Sequence, residues 1–152
     1  MKAYTCRPIS RPTIIALALF ALIQTAPAQA GFKCDLVESG GNGGGLDSTA
    51  VGDAAAACGV QNNADAHGSG AMGYINMATG EYANAFGAVN EAHGERSNAF
   101  GSTNIASSLG SNAFGRLNKA ETEYGSAFGY ENTVTGNGVN GSAFGYKNTV
   151  SG

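Results

Sequence analysis

Small apolar and polar residues recur along this chain with a fixed period of 14 residues. Each copy opens with alanine, a larger residue and glycine; asparagine stands three positions after the glycine, and alanine or valine two positions after the asparagine. The larger residue is Cys58, then Met72, then Phe86, Phe100, Phe114, Phe128 and Phe144. The asparagines are Asn62, Asn76, Asn90, Asn104, Asn118, Asn132 and Asn148. A period held over seven copies, with one two-residue insertion near 139–140, predicts a repeat architecture.

The repeats predict short strands rather than helices. No window keeps apolar residues at helical spacing, and glycine recurs too often for a long helix. Short apolar segments separated by glycine and asparagine are typical of strands and corners. Fourteen residues then make one coil of two strands, and successive coils stack about 4.8 Å apart through backbone hydrogen bonds. The sequence therefore predicts an all-β fold, a parallel β-roll or solenoid of 14-residue coils.

In this arrangement, equivalent side chains of successive coils form columns. The five phenylalanines are expected to stack in one column, and each asparagine amide to bond to the asparagine one coil away. Asparagine is also expected to occupy a left-handed corner. Because successive side chains of a strand point to opposite faces, phenylalanine lies on one face and its alanine and glycine neighbours on the other. We favour phenylalanine inside the coil, although the pattern leaves the reverse open.

The first thirty residues have the pattern of a secretory signal peptide. Lys2, Arg7 and Arg11 form a basic start, an apolar run covers 14–23, and Ala-Gln-Ala at 28–30 fits a cleavage site near Ala30. The apolar run is too short for an uncleaved membrane anchor, which needs about 20 residues. We therefore divide the chain into a signal peptide at 1–30, a glycine-rich lead-in at 31–48 and the repeats at 49–152.

Charge and cysteine content narrow the function. After removal of the signal peptide, five basic residues remain against 11 acidic ones, a net charge of −6, which argues against nucleic-acid binding. Cys34 and Cys58 remain and are expected to form a disulfide in an oxidising compartment; the alternative is that Cys58 is a small buried thiol. The two G-x-G-x-x-G segments, 68–73 and 136–141, lack the strand and helix of a dinucleotide site. We expect no catalytic residue, metal or cofactor.

The predicted core is thin. Each coil supplies one large apolar side chain and a few alanines, whereas ordering each backbone residue costs about 1–2 kcal/mol. Oligomerisation is a common remedy for a thin core. We therefore expect a homo-oligomer, with a monomeric solenoid as the alternative.

Two segments, Asn-Ala-Phe-Gly-Ser-Thr-Asn-Ile-Ala at 98–106 and Ser-Ala-Phe-Gly-Tyr-Glu-Asn-Thr-Val-Thr-Gly at 126–136, resemble the head repeats of YadA-like trimeric autotransporter adhesins. The resemblance covers about 49–152. It implies a left-handed parallel β-roll, three chains side by side, on a Gram-negative cell surface, with a role in cell adhesion and virulence. The chain departs from the family pattern by phenylalanine in place of isoleucine or valine, and by asparagine or serine before alanine. No heptad stalk or membrane-barrel segment follows, so we expect no self-encoded membrane anchor.

These observations predict an exported, non-enzymatic adhesin-head module that is secreted or held at the outer membrane. It would form a homotrimer and bind host, matrix or cell-surface macromolecules. Its first candidate contact residues are the surface tyrosines Tyr74, Tyr130 and Tyr146. The main alternative is a self-assembling extracellular fibre or matrix protein, and a β-helical hydrolase is a third reading.

Overall fold

The computed structural model describes residues 32–35 and 48–151. The predicted signal peptide, its cleavage site and most of the glycine-rich lead-in lie outside the described residues, so these predictions stay predictions. The described part is all β and contains no helix. The predicted all-β parallel solenoid of 14-residue coils is therefore confirmed.

Two parallel sheets of eight strands each form the walls of the solenoid. The long-strand sheet holds β1 (Phe32–Asp35), β3 (Ala56–Val60), β5 (Gly70–Tyr74), β7 (Asn84–Ala88), β9 (Asn98–Ser102), β11 (Asn112–Arg116), β13 (Ser126–Tyr130) and β15 (Ser142–Tyr146). The short-strand sheet holds β2 (Thr49–Ala50), β4 (Asn63–Ala64), β6 (Met77–Ala78), β8 (Glu91–Ala92), β10 (Ile105–Ala106), β12 (Lys119–Ala120), β14 (Thr133–Thr135) and β16 (Thr149–Ser151). Each coil contributes one strand to each sheet.

The register places like residues over like. In the long-strand sheet, Phe100 pairs with Phe114, and the flanking alanines and glycines pair in the same way. The two-residue insertion lies in the corner at 136–141, so that Phe128 still pairs with Phe144. A longer corner therefore leaves the strands after it in register.

Phenylalanine faces outward, contrary to the orientation we favoured. The interior positions belong to alanine: Ala85, Ala99 and Ala113 are fully buried, whereas Phe100 beside them is partly exposed. The largest fully buried side chains are Val134 and the repeat asparagines from Asn62 to Asn132. The space between the two sheets is thus filled by alanine, serine, asparagine and one valine, and it has no room for a column of benzyl groups.

A ladder of asparagines runs through this narrow interior. Asn104 shows the pattern: its Nδ2 donates to Oδ1 of Asn90 (3.0 Å) and to the carbonyls of Phe100 (3.0 Å) and Gly115 (2.8 Å). Its Oδ1 accepts from the backbone amide (3.0 Å) and the Nδ2 (3.1 Å) of Asn118. Each such side chain ties its own coil to both neighbouring coils. Buried amides satisfied in this way rigidify a core that has little apolar volume.

The residue before each repeat asparagine occupies a left-handed corner, so the prediction that the repeat asparagines themselves adopt this conformation is wrong. Val89, for example, has φ of 58°. Its backbone amide donates to the carbonyl of Tyr74 one coil earlier (2.8 Å), which fixes the corner. Asparagine keeps a negative φ because its side chain turns inward to the ladder. The residues with positive φ at this corner are Gln61, Ile75, Val89, Thr103, Leu117, Glu131 and Lys147. A second left-handed corner is held, in five of the coils, by Ala54, Tyr82, Arg96, Tyr124 and Asn140.

Val89 carries backbone strain that a substitution should relieve. A β-branched side chain in the left-handed region costs about 1–2 kcal/mol, and Val89 is 40% exposed, so it gives little burial in return. We expect Val89→Asn to raise the free energy of unfolding by about 1 kcal/mol, measured by urea denaturation. Ala88→Asn, at the neighbouring position of ordinary φ, is the control and should give no gain. A Val89→Asn variant no more stable than the parent would contradict this account.

Candidate binding surface

The outer face of the long-strand sheet carries a continuous row of apolar side chains. This row, the aromatic column, consists of Met72, Phe86, Phe100, Phe114, Phe128 and Phe144. Ring centroids of consecutive phenylalanines lie 4.8 to 5.1 Å apart. From Phe100 onward the rings are parallel, at 1° to 6° to one another. Stacking therefore covers the ring faces within the column and leaves Phe86, Phe100, Phe114 and Phe128 partly exposed. Phe144, in the last described strand of the sheet, is stacked on one side only and is 64% exposed.

A row of amides borders the aromatic column on one side. Asn84 Nδ2 donates to Oδ1 of Asn98 (3.1 Å), and Asn98 Nδ2 donates to Oδ1 of Asn112 (2.9 Å). Ser126 and Ser142 continue this row in the last two coils. The border is polar but uncharged, and its amides are already paired with one another.

The predicted contact tyrosines all lie in the row on the other side of the aromatic column. Tyr130 and Tyr146 stack on each other, with centroids 5.4 Å apart. Tyr74 stands four coils away from Tyr130, since Ala88, Ser102 and Arg116 occupy the row between them. Tyr74 and Tyr146 are 51% and 64% exposed. The three tyrosines share a face, but only two of them are neighbours.

Two cations extend the tyrosine pair, and the sequence reasoning missed both. The guanidinium of Arg116 lies 5.6 Å from the ring centre of Tyr130, and Nζ of Lys147 lies 5.3 Å from that of Tyr146. Lys147 also pairs with Oε2 of Glu131 (3.3 Å). The hydrogen bond to Glu131, and after it the one to Tyr146, raises the pKa of Lys147 above its ordinary value. The 14-residue spacing from Arg116 to Tyr130 was the signal available in the sequence.

The histidines do not form a common site. His67 packs edge-on against Tyr82, with centroids 5.2 Å apart. His93 lies on the outer face of the short-strand sheet, with Nδ1 2.8 Å from Oγ1 of Thr79 and Nε2 3.2 Å from Oε2 of Glu91. Within residues 32–35 and 48–151, no three His, Cys, Asp or Glu side chains are grouped as metal ligands would be.

Cys58 is disulfide-bonded rather than a free thiol. The backbone of Cys34 lies directly opposite Cys58 in the parallel pair of β1 and β3. The side chain of Cys34 lies outside the described part, so the Cys34–Cys58 pairing stays a prediction.

A small recess lies under the inserted corner at 136–141. It has a volume of about 40 Å³ and is lined by Thr122, Val134, Val139 and Val150 among others. A water molecule needs about 10–15 Å³ of such space, so the recess has room for a few waters at most. The extended outer faces are therefore the better candidates for binding a macromolecule.

The described residues include no helix long and apolar enough to cross a membrane. No protein-family model matches the chain, and no curated protein matches it significantly.

Proposed function

We propose that the chain is the head module of an exported, adhesin-like protein, whose copies associate side by side and bind extracellular macromolecules. The observation that carries this proposal is the aromatic column, an apolar row that runs along one outer face of the solenoid. All-parallel sheets are ordinarily covered on both faces. In a single chain the long-strand sheet is covered on its inner face only, so the outer face is suited to contact with another copy.

The distribution of charge supports contact between like faces. Eight acidic residues are described at 48–151, and none of them lies on the outward positions of the long strands. Arg116 is the one charged residue at those positions among the described strands. Identical chains of net negative charge can therefore bring these faces together without opposing carboxylates. The resemblance to the adhesin heads favours three copies, and the signal-peptide pattern favours export.

Disruption of the aromatic column tests the association. We expect the exported portion, residues 31–152, to form trimers by light scattering coupled to size-exclusion chromatography. The Phe100→Asn/Phe114→Asn double variant should become monomeric at the same concentration, because it removes apolar area at the centre of the column. Its far-ultraviolet circular dichroism should stay that of a β protein.

The matched control is Ile105→Asn, on the outer face of the short-strand sheet, which should leave the trimer intact. A monomeric parent protein, or a double variant that remains trimeric, would contradict association through the aromatic column.

Binding itself is tested on immobilised matrix proteins and on whole cells. Weak contacts repeated on several coils and chains add through effective concentration. We therefore expect the trimer to bind more tightly than the monomeric double variant. Equal binding by the two would mean that the oligomer does not contribute to adhesion.

A self-assembling fibre is the second candidate, and the stacked columns favour it. Phenylalanine rings 4.9 Å apart, and asparagine amides hydrogen-bonded from coil to coil, have the geometry of cross-β assemblies. Electron microscopy decides between the two: uniform small particles support the head module, and long fibrils support the fibre.

A further inference from the structure

The inserted corner at 136–141 contains two asparagines that are each followed by glycine, Asn137-Gly138 and Asn140-Gly141. No other asparagine in the described part of the chain precedes a glycine. We propose that Asn137 and Asn140 are sites of spontaneous deamidation, which converts them to aspartate and isoaspartate as the protein ages. This inference does not depend on the proposed function.

The reaction uses only the chain and water. The backbone nitrogen of the following glycine, after loss of its proton, attacks the side-chain carbonyl carbon of asparagine and forms a carbon–nitrogen bond. The bond from that carbon to the amide nitrogen breaks, and ammonia leaves with a proton from the solvent. Water then opens the cyclic imide at either carbonyl, which gives aspartate or isoaspartate. Glycine favours the first step because it has no side chain to shield its nitrogen.

The geometry of the corner leaves the reacting groups free. Asn137 and Asn140 are exposed, and neither side-chain amide has a hydrogen-bond partner among the described residues. The same holds for the backbone amides of Gly138 and Gly141. The corner is attached through other groups: the backbone amide of Asn140 donates to the carbonyl of Glu123 (2.9 Å). The reacting atoms themselves therefore hold no hydrogen bond of the described fold.

The asparagines of the interior ladder are, by contrast, protected from this reaction by burial and hydrogen bonding. Asn132 is buried, and its Nδ2 donates to the carbonyls of Phe128 (2.9 Å) and Gly145 (2.7 Å). The next residue, Thr133, has its backbone amide committed to the carbonyl of Asn148 (2.8 Å). Attack at Asn132 would require the coil to open first. The architecture thus protects its structural asparagines and leaves the two in the corner unprotected.

Deamidation would act on the corner and the coil after it. Each event replaces a neutral amide by a carboxylate, and the isoaspartate product adds a methylene group to the backbone. The corner is bonded to the preceding coil through Asn140 and Glu123, and the carbonyl of Gly141 accepts from the amide of Ser126 (2.8 Å). We expect these amides to exchange with solvent faster after the reaction.

Peptide mass spectrometry tests the proposal on residues 31–152, incubated folded at neutral and at mildly alkaline pH. Trypsin cuts after Lys119 and Lys147, so one peptide carries Asn132, Asn137 and Asn140 together. We expect a mass gain of one dalton per event at Asn137 and Asn140, at a rate about tenfold or more above that at Asn132. The rate should rise with pH, because the attacking nitrogen must lose its proton.

Asn137→Gln and Asn140→Gln are the matched variants. Asn140 is left-handed, with φ of 62°, and Gln61 already occupies a left-handed corner in this chain at φ of 53°. Each variant should lose the product at its own position and keep the other. A synthetic peptide covering 134–142 measures the rate of deamidation in the absence of the folded structure. If the peptide reacts while both asparagines of the folded protein stay intact, or if Asn132 reacts as fast as they do, the proposal is overturned. Reaction at one of the two upholds it for that residue and overturns it for the other.

Discussion

Replacement of Asn104 by alanine is expected to lower the free energy of unfolding by about 4 kcal/mol, since a hydrogen bond is worth about 1 kcal/mol net. The variant loses four bonds: the two N–H groups of Nδ2, shared among Asn90, Phe100 and Gly115, and the two bonds that Oδ1 accepts from Asn118. The amide of Asn118 is then left buried without its acceptor, and an unpaired buried group costs more than a lost bond. Urea denaturation, followed by circular dichroism at fixed protein concentration, measures the effect.

Asn98→Ser is the control for this variant. Asn98 belongs to the same coil and also donates to an asparagine one coil away, but it lies on the outer face, where Ser126 and Ser142 stand in later coils. Its replacement should change the free energy of unfolding by less than about 1 kcal/mol. Equal losses in the two variants would mean that the interior ladder has no special role.

The ladder explains why the apolar residues are available for association. In most small domains the large apolar side chains fill the core. Here the buried positions hold alanine and hydrogen-bonded asparagine, and the phenylalanines are left outside. Hydrogen bonds between coils therefore take over much of the stabilisation that apolar burial ordinarily gives. The aromatic column then lies on the outer face, where the proposed association would cover it.

The period itself predicted most of the fold. Equal spacing of Phe86, Phe100 and Phe114 required that equivalent residues lie one above another, and the register agrees. Period-two alternation separated two faces of each strand but contained nothing about which face was inside. Which face points inward depends on the distance between the two sheets, and the corners determine that distance. Uniform alanine at 85, 99 and 113 was the relevant signal, because only a narrow interior demands the same small residue in every coil.

The corners were less predictable because their residue types vary. Val89, Thr103 and Leu117 share a left-handed conformation that none of them prefers. A backbone bond to the preceding coil imposes it, and that bond depends on the stacked coils rather than on the local sequence. The contacts on the outer surface were only partly predictable for a related reason. The spacing placed Tyr130 and Tyr146 in one row, but their contacts with Arg116 and Lys147 depend on side-chain conformation.

Gly101→Ala is the second substitution with a large expected effect, a loss of about 4 kcal/mol in the free energy of unfolding. Gly101 has φ of 119°, a region in which residues with a side chain are strained by about 1–3 kcal/mol. A Cβ at this position would also fall on the carbonyl oxygen of Gly115 in the next coil. To make room, β9 and β11 would have to separate, which would weaken the parallel pairing between them.

Gly145→Ala introduces the same kind of backbone strain as Gly101→Ala but without the steric clash against the next coil. Gly145 has a similar φ, 111°, but in the described part of the chain the nearest atom to an added Cβ is Nδ2 of Asn148, at 3.3 Å. This variant should lose only the strain, about 1–3 kcal/mol. The difference between the two variants, measured by urea denaturation under identical conditions, then reports the cost of forcing two coils apart. If Gly101→Ala lost no more than Gly145→Ala, close contact between backbones of successive coils would not be what demands glycine in every repeat.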